Sequence, residues 1–355
     1  MTYRLPIPLT ARILVVRSLP GLGDLLCAVP ALRSLRSAYP FAHVAWLGLP
    51  GTEWFSQRFS HLIDQWLPFP GFPGIPEGWQ SPQNTVEFLG QIQGHRYDLA
   101  LQLHGDGSSI NPFLSLLGAR QQAGFYLPGQ FCPDPRYFLP YPQWGSEVER
   151  LLRLTEFLGL PPQSLELEFP LSEDEDQAGL QVLKAHDLSP GRYLCLHPGA
   201  SSEDRRWSIA GFAQVAESLA NQGYRIVLTG TAAEQELAAQ ICAAVGGAAL
   251  NLAGCTTLGE LAVVLQQAAL LVCNDTGVSH LGAALKVPSV VVFSNSEVGR
   301  WAPINSIADQ TFGRGRHRIV DSRQTGAATP WAVLAEARSL LNAQSQSVPE
   351  VCYVG

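Results

Sequence analysis

Four short polar segments of this chain each follow a run of apolar residues, and each carries side chains suited to handling a proton or an anion. In SLPGLGDLL (18–26) a glycine-bearing loop leads into a helix, and Asp24 stands next to Gly23 where that helix begins. A carboxylate there is stabilised by the helix dipole and by unpaired backbone N–H groups. Asp24 therefore reads as a helix cap or as a general base, and the two roles are compatible. In LHPGASSEDRRWS (196–208) the hydroxyls of Ser201 and Ser202 and the guanidinium groups of Arg205 and Arg206 follow a strand. That combination suits a diphosphate cradle, and solvated surface arginines are the plainer reading.

In VCNDTGVSHLGAAL (272–285), Asp275, Thr276 and Gly277 end a strand and open a helix whose first turn contains His280. The free N–H groups of Thr276 and Gly277 can face an anion, and glycine permits close approach of a phosphate. An N-cap and a structural histidine would explain the same residues without a ligand. In TGTAAEQE (229–236), Glu234 lies near a helix start, where it can accept hydrogen bonds from ribose hydroxyls or simply complement the dipole.

Other chemistries find less support. Gly21-x-Gly23 would need Gly or Ala at 26 to complete a dinucleotide fingerprint, but Leu26 stands there, and no acidic residue closes the second strand at Leu47. An NAD site is thus disfavoured. Asp174 and Asp176 form an Asp-x-Asp pair, yet they belong to the charged stretch PLSEDEDQ (170–177), read here as a linker, so no Mg²⁺ site is expected. The seven cysteines are scattered, with no C-x-x-C spacing; a zinc site and a disulfide framework are not indicated, and they read as core residues.

The elements that must position these residues alternate. Apolar runs at 12–16, 43–47 and 99–103 read as buried strands, with a helix from Asp24 through Pro40. After 99–103 comes HGDGSS, where His104 and Asp106 face the end of the sheet at which ligands bind; acceptor contact and loop hydrogen bonding both fit them. PFPGFPGIPEGWQSP (68–82) is too rich in Pro and Gly for regular structure and reads as a long surface loop whose aromatics touch an acceptor or pack over the domain edge. Amphipathic helices follow near 111–117 and over 147–158. Beyond 177 the alternation resumes, with strands at 193–196, 225–228, 270–273 and 289–293 and helices over 210–222, 232–245 and 257–267 and after Asp275. A last helix spans 330–342. The expected architecture is two doubly wound α/β halves, residues 1–172 and 173–328, with a C-terminal helix and tail (329–355) returning to the first half.

Composition agrees with this. A chain of 355 residues, 46% apolar and 15% charged, buries substantial cores and is not disordered. Its net charge of −7 argues against general nucleic-acid binding. Of 23 basic residues only Lys184 and Lys286 are lysine, so any anion is held locally by arginines or helix N-termini. No apolar stretch is long enough to span a membrane, and the start MTYRLPIPLT lacks a signal-peptide layout, so a cytoplasmic location is expected.

Taken in order, ILVVRSLPGLGDLLCAVPALRSLRSAYP, LALQLHGDG, SEVERLLRLTEFLGL, LHPGASSEDRRWSIAGFAQVAESL, LTGTAAEQELA and NDTGVSHLGAALKVPSVVVF resemble glycosyltransferase family 9, the heptosyltransferase-like enzymes, over nearly the whole chain. The resemblance implies a GT-B fold, two Rossmann-like domains facing across a cleft. It also implies metal-independent, inverting transfer of heptose or a related sugar from a nucleotide-diphosphate donor to a glycan or lipid-linked acceptor. By position, Asp24 matches the family's proposed base, and Arg205 stands where the family typically has a phosphate-binding lysine. Glu234 matches a ribose-contacting glutamate, and Asp275, Thr276, Gly277 and His280 match the donor-diphosphate motif, with Ser201 and Ser202 beside it. Gly23, His104 and Asp106 fall on the acceptor side. An ADP-sugar is implied as co-substrate, with no cofactor and no metal; no oligomer is predicted. A lipid-linked acceptor would require peripheral contact with the inner membrane face. Two alternatives share the fold: a nucleotide-sugar epimerase or hydrolase, and a non-catalytic sugar-binding homologue.

Overall fold

The computed structural model describes residues 5–78, 81–304, 315–325 and 328–345. The chain divides into two compact units, Met1–Leu165 and Glu166–Gly355. The division falls before the expected 172/173 boundary because the residues after it already join the second unit. Glu166 Oε2 lies 4.0 Å from Lys286 Nζ, and Leu167 lines a small cavity with Ala283 and His317.

In the first unit, β1 (Arg12–Val16), β2 (His43–Gly48), β3 (Gln65–Pro68), β4 (Leu99–Gln102), β5 (Gln121–Tyr126) and β6 (Phe138–Pro140) form one parallel sheet in the order β3-β2-β1-β4-β5-β6. The central strands are buried along their length, which is why RILVV and HVAWLG read as continuous apolar runs rather than alternating ones. Helices α1 (Leu22–Leu26), α2 (Val29–Ala38), α3 (Glu53–Arg58), α4 (Pro82–Gly94), α5 (Ile110–Leu116) and α6 (Glu147–Phe157) flank it. The single helix expected after Asp24 is two. Pro30 has no N–H to continue the first helix, and it sits instead in the opening turn of α2, where none is needed.

The second unit repeats the topology. Strands β7 (Tyr193–His197), β8 (Arg225–Leu228), β9 (Ala249–Asn251), β10 (Leu270–Asn274), β11 (Ser289–Phe293) and β12 (His317–Asp321) are parallel in the order β12-β11-β10-β7-β8-β9. Its helices are α7 (Glu173–Ala185), α8 (Ile209–Ala220), α9 (Gln235–Val245), α10 (Leu258–Gln266), α11 (Gly277–Ala284) and α12 (Val298–Trp301). The charged stretch read as a linker is the first turn of α7. Ser172 and Glu175 form a capping box, and four carboxylates in that turn complement the helix dipole, so Asp174 and Asp176 are helical. The C-terminal helix Pro330–Ser345 places Val333, Ala337, Leu340 and Leu341 in the second unit's core with Val290 and Val292. The tail from 346 lies outside the described residues.

Phe69 is fully buried and Phe72 partly so; each ring centroid lies 5.2 Å from that of Phe113, so these aromatics of the Pro/Gly-rich segment serve the core. Trp79 and Gln80 lie outside the described residues. Of the cysteines, Cys27, Cys195 and Cys273 are buried, but Cys255 is exposed, a correction to its reading as core. Among the described residues no helix is long and apolar enough to cross a membrane. In each unit the chain runs outward to one side of the first strand and then returns to the other, which leaves a crevice at the carboxyl ends of β1 and β4 and of β7 and β10. Doubly wound sheets bind ligands at such points.

Candidate active site

The four segments singled out in the sequence sit at these two crevices. In the first unit, Asp24 occupies the opening turn of α1 and its side chain is 27% exposed. A Cβ on Gly21 would stand 2.3 Å from Asp24 Oδ2, so the carboxylate folds back over space that only glycine leaves open. The group that organises this corner is Arg17, fully buried directly after β1. Its Nε donates to the Asp24 carbonyl at 2.9 Å, its Nη1 to the Leu103 carbonyl, and its Nη2 to Glu147 Oε1 at 3.1 Å. One guanidinium thus ties together the loop after β1, the loop after β4 and the start of α6.

His104 extends the same corner. The Ser18 N–H donates to its Nδ1 at 3.2 Å, which leaves the proton on Nε2. Burial, then the neighbouring Arg17 charge, pushes its imidazole down to about 4, so the ring is neutral at pH 7. The approach of Nε2 to Glu77 Oε2 at 4.0 Å is accordingly a dipolar contact and not an ion pair. Asp106 Oδ1 accepts from Ser108 N at 2.9 Å and from Ser108 Oγ at 2.6 Å, the loop hydrogen bonding that the sequence left open. Gly23 is buried within α1.

In the second unit the organiser is Asn274, fully buried at the end of β10. Its Nδ2 donates to the carbonyls of Pro198 at 2.7 Å and Gly199 at 3.3 Å, and its Oδ1 accepts from Trp207 N–H at 2.9 Å. A buried amide so used fixes the loop after β7 against the strand that delivers Asp275, Thr276 and Gly277. Asp275 and His280 are buried, and Thr276 is the extended N-cap of α11, whose first N–H groups have no intrahelical acceptor. Trp301 packs edge-on to His280, with centroids 6.2 Å apart.

Glu234 closes the other side of this crevice. Its Oε2 accepts from Thr231 N at 2.7 Å and Thr231 Oγ1 at 2.9 Å, a capping box, so the dipole-and-cap reading of this residue has a geometric basis. Its Oε1 meanwhile lies where a side chain on Gly199 would be, 1.9 Å from the Cβ position. Beneath it His197 is buried, with Nδ1 3.0 Å from Thr229 Oγ1; burial lowers its pKa and the Glu234 charge opposes that shift.

Ser201 is exposed, and Ser202 and Arg205 are half-buried in and before a short 3-10 turn (Glu203–Arg205). Arg206 folds back onto the Ala200 carbonyl at 3.1 Å, whereas the Arg205 guanidinium makes no hydrogen bond among the described residues. The hydrogen bond to Asp204 from Asn295 Nδ2 at 2.6 Å pins this turn to the loop after β11. Contacts with Ser202 and Asn295 hold the Asp204 carboxyl below its usual range.

Arg17, Glu147, Asn274 and Gly199 carry this geometry, and none of them stands out in the sequence as a site residue. A lone arginine ending the apolar run RILVV and an asparagine ending LLVCN were the available signals: a polar residue at the carboxyl end of a central strand. Glu147 had none, since it looks like any acidic residue in a helix's first turn. Among the described residues no group of three or more His, Cys, Asp or Glu is placed to hold a metal ion.

Comparison with known proteins assigns the chain. The family model for glycosyltransferase family 9 (heptosyltransferase) matches residues 86–325. Lipopolysaccharide heptosyltransferase 2 of Salmonella typhimurium is 27% identical over 348 residues, covering 90% of this chain and 96% of its own. Among solved structures, a family 9 glycosyltransferase of Veillonella parvula superposes with a TM-score of 0.74 at 19% identity, covering 94% of this chain and 97% of its own. The Escherichia coli ADP-heptose lipopolysaccharide heptosyltransferase II does so with a TM-score of 0.70 at 22% identity, covering 94% and 99%. With two-thirds of its length under the family model and both doubly wound units in place, this chain belongs to glycosyltransferase family 9 and is a glycosyltransferase.

Proposed function

We propose that the chain transfers heptose from ADP-heptose to a lipopolysaccharide acceptor, with inversion at the anomeric carbon and without a metal ion. The donor and acceptor classes follow the relatives, whose names specify ADP-heptose and lipopolysaccharide. The observation that carries the reading is the second unit's crevice, where Asn274 locks the Pro198–Gly199 loop beside the N-terminus of α11 and Glu234 lies against Gly199.

In this proposal the Thr276 and Gly277 N–H groups and the Arg205 guanidinium hold the diphosphate, with Ser201 and Ser202 beside it, and Asp275 and His280 support the turn. Glu234 Oε1 accepts from the ribose hydroxyls. Asp24 takes the proton from the acceptor hydroxyl as that oxygen attacks the anomeric carbon from the face opposite the diphosphate. The bond to the diphosphate breaks, its electron pair passes to the phosphate oxygen, and ADP leaves. Fixed dipoles and a guanidinium can stabilise the charge developing on ADP without a metal. Gly23, His104 and Asp106 border the acceptor hydroxyl.

The test is incubation with ADP-heptose and heptose-deficient lipopolysaccharide, with and without EDTA, followed by NMR of the new linkage. Transfer with inverted configuration that survives EDTA is expected. Retained configuration, loss of transfer in EDTA, or release of free heptose with no acceptor product would each overturn the corresponding part.

A further inference from the structure

Apart from the residues assigned above, the first unit carries an open hollow of about 440 Å³ beside edge strand β6, with Pro140, Pro142, Trp144, Arg153 and Glu156 among its walls. Trp144 is 69% exposed, which is unusual for so large an apolar side chain and commonly marks a binding surface. Yet it is held firmly. The Arg153 guanidinium lies 3.6 Å from its ring centroid, and Arg153 Nη1 donates to the Trp144 carbonyl at 3.3 Å. A cation covers one face of the indole, and solvent reaches the rest.

Glu156 stands three residues beyond Arg153 on α6 and so shares its face. The wall therefore presents a flat apolar ring flanked by a fork of donors and a pair of acceptors. That is the chemistry that receives a sugar ring: its C–H face lies on the indole face that Arg153 leaves open, and its hydroxyls meet the polar groups at the rim of the hollow. An acyl chain would leave both charges unpaired, and a polyanion would meet the Glu156 carboxylate.

The hollow is also tied to the catalytic corner. The loop 141–146 leaves the carboxyl end of β6, the sheet edge at which β1 and β4 also end. Tyr141 is fixed by Arg150, whose Nη1 donates to its hydroxyl at 3.2 Å and whose guanidinium lies 5.3 Å from its ring centroid. Ser146 and Glu149 form a capping box, and Glu147, which follows Ser146, binds Arg17. The platform and Glu147, which binds Arg17, thus lie on one continuous segment.

We propose that the Trp144–Arg153–Glu156 wall is a subsite for a non-reacting, neutral sugar ring of the acceptor glycan. The inference rests on the acceptor being a glycan, as proposed above. The test compares wild type, Trp144→Ala and Trp144→Phe with a delipidated core oligosaccharide that carries neutral sugar rings as acceptor. Trp144→Ala raises the acceptor KM by about tenfold, the loss expected when one stacked ring is removed. Trp144→Phe recovers most of that, and the donor KM does not move. Equal acceptor KM values in all three proteins would overturn the proposal. If wild type transfers no heptose, saturation-transfer NMR of the same oligosaccharide still reads the site. Contacts present in wild type and absent in Trp144→Ala support it even though the transfer reading has failed, and contacts equal in both, or absent from both, overturn it. A change in sedimentation from dimer to monomer in Trp144→Ala, with KM unchanged, would assign the face to a second copy of the chain and also overturn it.

Discussion

Arg17 holds Asp24 by its main chain and faces its carboxylate at longer range: Nε donates to the Asp24 carbonyl at 2.9 Å, and Nη2 lies 3.9 Å from Oδ1. The guanidinium spends its short, charge-assisted contact on Glu147 at 3.1 Å.

Asp24→Asn is isosteric and retains the main-chain bond to Arg17. Transfer is expected to fall by a factor of about 10² to 10⁴, the usual contribution of a general base, with donor affinity and melting temperature little changed. Steady-state rates together with calorimetric titration of ADP check this; near-wild-type turnover would remove Asp24 from the base role.

The Arg17–Glu147 pair is almost wholly withdrawn from water, so removing one partner leaves the other buried charge without this counter-charge. Glu147→Leu and Arg17→Met are each expected to cost about 3–5 kcal/mol in urea unfolding. The double substitution should cost clearly less than the two combined, because no unpaired charge remains. Additive losses would mean that the two side chains act independently.

Gly199→Ala forces the Glu234 carboxylate away, since the new Cβ would stand 1.9 Å from Oε1. ADP affinity is expected to weaken by about tenfold, as for loss of a charged hydrogen bond, while stability drops by only about 1 kcal/mol through the disturbed capping box. In a Glu234→Ala background the same change should have little further effect on ADP binding. A full additional tenfold loss there would show that Gly199 acts through something other than Glu234.

His104 supplies a pH dependence with a definite sign. Its folded pKa, about 4, lies below the ordinary 6.5, so the unfolded chain binds the proton first as pH falls. This contribution is complete above pH 6.5 and is lost between 6.5 and about 4, to the extent of roughly 2–3 kcal/mol. His104→Asn, whose Oδ1 can still accept from Ser18 N–H, should therefore lose less stability than wild type between pH 7 and pH 4.5 in urea titrations. Parallel losses in the two proteins would place the ring in a more solvated setting.

The sequence by itself determined the two-fold α/β alternation and the polar segments after β1, β7, β8 and β10, because buried parallel strands are continuous apolar runs and the loops that follow them change composition abruptly. It did not distinguish β3 or β6, which are short, end in proline and lie at or toward a sheet edge, nor β5, whose first residues are glutamines; there pairing with a neighbour, not local pattern, makes the strand. It misread the opening turn of α7 as a linker, since charge hides helical periodicity while strengthening the helix start. Only the tertiary structure decided that Arg17 and Glu147, 130 positions apart, form one ion pair, that Asn274 reaches Pro198 and Gly199, and that Glu234 lies on Gly199. A hydrogen bond or a steric vacancy between residues so far apart depends on which strands the topology makes neighbours, and no local property of either residue records that.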